Sequence, residues 1–381
     1  MEVEGGGEEG WLLSLSPSLL VRIFLFVGGI AALLVLIKMT VLSSDEVQQQ
    51  HSNKDDDKKK KKRKTLAQAS LNGDEEDVLA FLRQGASVNE FDELGRLPIV
   101  EASRGGHINL IQLFLNNGAS VDSCDKFFLT PLLAASYNGY NPVVSFLLSR
   151  GANVNFTDPD QWTALLNACH NDHASTMKLL LESGANIDAR GYMGRTALTK
   201  AIASGYSSVV ELLLEKGAST EIADDMGLTP LSMACLRGDV EIVRRLIDHG
   251  ADVTHRAFGG TTPVMIASLK GHVQVVDLLT NDAEQLRVQN DKGETPLMLT
   301  CHKGHSSLAS LLISKGSDLE IKNESGKTAL LIACEKNHVE TVKLLLQHGA
   351  NLLEKDSNDK SAFDLTTSDD IKRVLFSHKT F

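Results

Sequence analysis

Twelve histidines and five cysteines are the side chains with most chemical potential in this chain of 381 residues. Imidazoles and thiolates together bind transition metals, and a histidine next to a thiol can drive nucleophilic catalysis. Their spacing argues against both uses. There is no CxxC pair and no metal-ligand spacing. Instead Cys169, Cys235, Cys301 and Cys334 recur in one column at multiples of 33 residues. His107, His173, His272, His305 and His338 recur in a second column, and His249 and His348 in a third. Residues that return at a fixed period serve a repeating architecture, as small core fillers and bridging side chains. Phosphate-cradling glycine loops, HExxH and nucleophile elbows are also missing. The expectation is a protein with no catalytic residues, no metal and no cofactor.

The elements that place these columns come from the same 33-residue period. Thr-Pro-Leu or a close relative begins at Leu97, Thr130, Thr163, Thr196, Thr229, Thr262, Thr295, Thr328 and Ser361. A Gly-Ala pair or a near variant starts at Gly85, Gly118, Gly151, Gly184, Gly217, Gly250, Gly316 and Gly349, and only the member expected at Ala283 lacks its glycine. A third column holds Gly73, Gly106, Gly139, Gly205, Gly238, Gly271 and Gly304, with Asp172 and Asn337 as exceptions. Threonine suits a helix N-cap, and proline suits the first helical residue, where its missing N–H costs nothing. The third-column glycine then ends a first helix, and the glycine of Gly-Ala ends a second in the left-handed conformation. The remaining residues, such as 154–162, predict a short hairpin-like loop. One such unit cannot bury its own apolar faces, so neighbours must stack.

Adjacent equivalent positions in such a stack lie about 8–10 Å apart, one helix-packing distance. A disulfide needs Cα atoms within about 7 Å, so the column cysteines should be free thiols, which suits a reducing compartment.

This pattern resembles the ankyrin repeat over residues 65–381, most closely in the stretch from Gly191 to Ser219. The resemblance implies an all-α solenoid of paired helices with hairpin-like loops, about nine repeats long. A truncated tenth unit at 361–381, with polar Ser368–Arg373, serves as C-terminal cap. One departure is consistent. The family's histidine after Thr-Pro-Leu is replaced by Val100, Leu133, Leu166, Thr199, Ser232, Met265, Met298 and Leu331. Softer coupling between repeats is expected from that loss, and the weakest junction at the irregular seventh repeat, 281–288.

The resemblance also implies where a partner binds: loop tips and the exposed end of each first helix. Those columns lie four, three and one residues before the Thr position, and seven and eight after it. In repeats three to seven they hold Phe127, Leu129, Tyr137, Trp162, Tyr192, Met193, Met226, Leu228, Leu236, Phe258 and Leu269. In repeats eight and nine the same columns hold no large apolar residue but Asp291, Lys292, Glu294, His302, Lys303, Glu324, Ser325, Lys327, Glu335 and Lys336. A solvated surface gives no reason for that contrast, whereas an interface does. A protein partner is therefore expected across repeats three to seven, anchored by Phe127, Trp162 and Tyr192. The tips of repeats three and four carry Phe128 and Gln161 in place of the usual turn glycine, so their loops are expected to differ from the rest.

The first 64 residues are different in kind. Leu19 to Ile37 carries one charge, Arg22, and as a helix would rise about 28 Å, close to the bilayer's hydrocarbon thickness. Arg22 can snorkel to the interface. Glu2, Glu4, Glu8 and Glu9 precede this stretch, so it lacks the basic start of a cleaved signal peptide. The reading is an acidic non-cytosolic tail at 1–18, a transmembrane helix at 19–38 and a flexible polybasic linker at 39–64. By the positive-inside rule the repeats face the cytosol. Lys58, Lys59, Lys60, Lys61, Lys62, Arg63 and Lys64 could attract anionic lipid, or serve only as a stop-transfer flank. In a soluble protein the same run would be a nuclear localisation signal.

Charge is consistent with a protein partner. These 64 residues hold ten Lys/Arg and nine Asp/Glu, which leaves 28 basic against 40 acidic residues in the repeats, a net of −12. That balance argues against nucleic acid. The expected function is a membrane-anchored cytosolic scaffold or adaptor, and the alternative is a soluble nuclear or cytosolic repeat regulator.

Overall fold

A computed structural model describes residues 64–379. Among them are twenty α-helices in ten pairs and no named strand, only isolated bridges at Ala257–Thr261 and Lys355–Ser361. The expected transmembrane helix at 19–38 and the Lys58–Arg63 part of the basic run lie outside the described residues. Among those described, no helix is long and apolar enough to cross a membrane.

Each pair is assembled by the columns. In repeats three to six, eight and nine the hydroxyl of Thr130, Thr163, Thr196, Thr229, Thr295 or Thr328 accepts the N–H three residues on, satisfying a donor the helix cannot. Thr262 departs from that expectation. Its hydroxyl is buried and makes no cap bond. Ser361 caps the tenth unit with a reciprocal box to Asp364. First helices such as Pro230–Arg237 end on a left-handed residue, and Asp172 and Asn337 hold φ of 57° and 59° where glycine is missing. At Gly238 two constraints coincide. Its φ is +78°, and an added Cβ would lie 2.4 Å from the His272 ring.

That ring belongs to the histidine column, and the column ties the repeats together. His107, His173, His272, His305 and His338 each place Nε2 within 3.0–3.3 Å of a carbonyl at the end of the preceding repeat's first helix. A carbonyl only accepts, so Nε2 carries the proton in each case. At two of the places where the column lacks histidine, Tyr206 Oη and Arg237, two residues before Asp239, donate to the equivalent carbonyls of His170 and Ala203. The residues that replace the family's other histidine are all buried. Apolar packing fills that layer, except at Thr199, whose hydroxyl turns back to the Thr196 carbonyl, and Ser232, which bonds Thr229.

One continuous apolar core runs from Ala69 to Leu375. Ala102, Ala135, Ala168, Ala201, Ala234, Ala267 and Ala333 are fully buried at one column and let first helices approach closely. The column cysteines beside them are buried and free, as expected, and burial pushes the thiols of Cys169 and Cys334 up to about 12. The seventh repeat adapts to its missing glycine. Its second helix, Val273–Leu279, stops two residues short of the usual nine, and a 3₁₀ turn at Ala283–Leu286 tucks Leu286 into the core. Gln285 is buried there with its Oε1 unbonded.

Candidate protein-binding face

Loop tips are built by one short device. At repeats two, three, six and eight to ten, an Asp or Asn five residues before the Thr position accepts backbone N–H groups two and four residues ahead. Asp125 takes those of Phe127 at 2.8 Å and Leu129 at 2.9 Å, and Asp224 those of Met226 and Leu228. The expected difference does not appear at repeat three, while at repeat four the Asp158 side chain accepts only the Trp162 N–H. Phe128 and Gln161 take the glycine's left-handed conformation, at φ of 60° and 63°, and keep the turn itself. The tips that depart further are those of repeats five and seven. There Gly191 and Ala257 stand in the acidic column, and 3₁₀ turns form at Tyr192–Gly194 and Phe258–Gly260.

Successive tips are joined by a backbone ladder. Its rungs run from Lys126 N–H to Gly95 O, Asp225 to Met193, Phe258 to Met226, Asp291 to Gly259, Glu324 to Lys292 and Ser357 to Ser325. Among the described residues the ladder has no rung on either side of repeat four. Pro159 has no N–H to offer repeat three, and the Tyr192 N–H does not reach repeat four. A cavity of about 460 Å³ opens at the second gap, lined by Pro159, Gln161, Arg190, Tyr192, Met193 and Asp225.

The eleven apolar candidates divide by column. Phe127, Tyr137, Tyr192, Leu236 and Phe258 are exposed, Phe258 most, at 73%. Leu129, Trp162 and Leu228, just before the Thr position, are half-buried against the core, so this column folds inward in part. Met193, Met226 and Leu269 are also half-buried. Trp162 is wedged rather than free. The edge of His170 meets its ring at 5.6 Å between centroids, and the Lys200 ammonium lies 4.3 Å over its face. Tyr137 stands 6.4 Å from His170 on the other side. Burial lowers the pKa of His170 and of Lys200, with Lys200 adding to the first and Arg195 to the second. The groove of repeats three to five is thus an aromatic strip closed by a cation whose charge is only partly hydrated.

Beside this strip lies a feature that the column counting missed. Glu101, four residues after the Thr position of repeat two, is buried to 1% exposure at a cavity of about 370 Å³ shared with Phe127, Leu129 and Tyr137. The signal was present as an acid in a column otherwise filled by Ala134, Asn167, Lys200, Met233, Ile266, Leu299 and Ile332. Burial raises its pKa against the pull of Arg104 and Arg96.

The column histidines make structural contacts. Each column histidine faces a backbone carbonyl, and His249 and His348 place Nδ1 on the carbonyl of Arg245 or Leu344 at their own helix ends. No group of three or more His, Cys, Asp or Glu that could hold a metal occurs among the described residues. Lys64, the last of the basic run, sits with its ammonium 2.5 Å from Asp74 and on Asp77, at the start of repeat one.

Stacked helix pairs with capped turns and a groove of outward tips define a solenoid repeat protein with a binding face. A family model for ankyrin repeats (3 copies) matches at residues 66–158, 132–224, 219–289 and 282–356, and the chain belongs to the ankyrin-repeat family. No individual curated protein matches it. Membership points to protein–protein interaction, because such repeats share a scaffold whose outer residues choose the ligand.

Proposed function

We propose that this chain is a membrane-anchored scaffold whose repeats three to seven grip a protein partner and hold it at the cytosolic face. The observation that carries the binding half is the exposed aromatic line Phe127, Tyr137, Tyr192 and Phe258, with Trp162 wedged behind it. Large rings held on rigid turns give up little conformational entropy on binding and supply the hot spots of interfaces. The broken ladder at repeat four leaves backbone groups beside Phe127 and Tyr192 open to a partner's own chain.

The membrane half rests on the apolar stretch Leu19–Ile37 and the basic residues after it. Alkaline carbonate extraction of the full-length protein tests it. Retention in the pellet supports a spanning helix, whereas release returns the basic run to the role of an import signal. Asn155 and Asn323, both in glycosylation sequons, stay unmodified if the repeats are cytosolic. The binding half is tested by Phe127→Ala with Trp162→Ala in one chain. Proximity labelling in cells should lose the partners of the parent protein, while circular dichroism keeps its helical signal. Unchanged labelling would refute it.

A further inference from the structure

We propose that the cavity beside Phe127 is a cradle for one basic side chain of the partner, an arginine or lysine, whose charge meets Glu101. This rests on the reading that repeats three to seven bind protein, and it names the chemistry recognised at their N-terminal edge.

Glu101 is an expensive residue for the fold. A carboxylate that is 1% exposed needs full pairing to offset its lost hydration. It does not have it. Oε2 accepts no hydrogen bond, and the nearest cation, on Arg96, is 4.0 Å away. Arg96 is committed elsewhere, with Nε at 2.9 Å and a terminal nitrogen at 2.6 Å from Asp92 Oδ2. Arg104 approaches Oε1 at 3.6 Å, but its side chain is half exposed and long enough to swing away. Asp125, also buried in the lining, has its Oδ1 occupied by backbone N–H groups and adds a second negative charge.

The walls complete the match. Phe127, Leu129 and Tyr137 offer apolar surface for the methylene stem of a long side chain, and Asn138 and Asn167 add polar groups. Arg96 and Arg104 complete the lining, so an incoming charge meets Glu101 where Arg104 swings out. A basic residue therefore fits by shape and by charge, with its stem against the rings and its head against an under-paired carboxylate. The rest of the column shows that the stack does not require an acid here, since Ala134, Met233 and Ile266 fill equivalent places.

The test is a positional-scanning library of N-acetylated, C-amidated dodecapeptides presented to the purified full-length protein. The parent protein should prefer Arg or Lys over the neutral isosteres citrulline and norleucine at one position by about tenfold or more, the loss expected when one charge of a desolvated pair is removed. Glu101→Gln, near in shape, should cut that preference to about twofold while leaving apolar selections in place. An equal basic preference in Glu101→Gln would overturn the cradle, as would selection of Asp or Glu there, which would assign the cavity to Arg104. Apolar selection that Phe127→Ala with Trp162→Ala abolishes, with no basic preference anywhere, would overturn the cradle and leave the binding face standing. A parent protein that selects nothing would also overturn the cradle, with the binding face then judged by labelling in cells.

Discussion

Repeats three to five and repeats eight and nine share one backbone design and present opposite surfaces. Both regions cap first helices with threonine and bury a leucine two positions on. At the tips they part. Phe127, Tyr137 and Tyr192 stand exposed in the first region, while Lys292, Glu335 and Glu324 occupy matching columns in the second, where Glu335 pairs with Lys327 at 2.5 Å. The tip ladder is continuous across repeats eight and nine and interrupted on both sides of repeat four. Identical folding chemistry thus supports two surfaces. The inner columns hold the stack, and the outer columns decide what it touches.

The largest expected effect breaks the comparison at its apolar end. Phe127→Ala with Trp162→Ala should abolish partner labelling, whereas Lys292→Ala with Lys336→Ala in the charged region should leave it unchanged. Loss in both pairs would dissolve the distinction. A smaller effect separates binding from stability at one ring. Trp162→Ala alone removes a half-buried ring and its cation contact, and should lower unfolding free energy by about 2 kcal/mol in urea melts, below the 3–5 kcal/mol of a fully buried aromatic. Phe127→Ala, two-thirds exposed, should lie within about 0.5 kcal/mol of the parent.

Glu101 sharpens the contrast from the other direction. Burial raises its pKa above the unfolded value, so the fold holds the proton more tightly than the open chain does. Its cost to stability is then complete above the folded pKa and fades as pH falls to the unfolded value. Glu101→Gln should stabilise the protein by about 1 kcal/mol at neutral pH, and that gain should shrink in acid. Destabilisation at neutral pH would show that the carboxylate serves the fold. The smallest effect concerns thiols. Cys124 is half-buried, while the column cysteines are buried with raised pKa, so brief alkylation of the native protein should add one label, at Cys124, and five after denaturation.

Sequence alone carried the columns because each maps to a backbone requirement that tolerates few residues. The paired helices, the ten units and the buried cysteines were all legible in that way. Outer columns were legible by type and not by posture. Trp162 and Tyr192 look alike as aromatics at tips, yet one is wedged between His170 and Lys200 and the other is 62% exposed. Glycine counting misplaced the repeat-three loop, since Phe128 adopts a left-handed turn that Asp125 holds, and it marked repeat four by the wrong residue, since Gln161 keeps the turn. The better signals were the missing acid at Gly191 and Ala257 and the missing N–H at Pro159. Glu101 escaped because its column belongs to the core, where a charge is read as an exception only once its lack of partners is visible.

Site-specific photocrosslinking tests the central claim most directly. A benzophenone amino acid placed in the full-length protein at position 127, 137 or 192 should yield adducts with a protein partner in cells. The same probe at 292, 324 or 336 should yield none. Adducts confined to repeats eight and nine, or equal at all six positions, would contradict the assignment of binding to the aromatic tips.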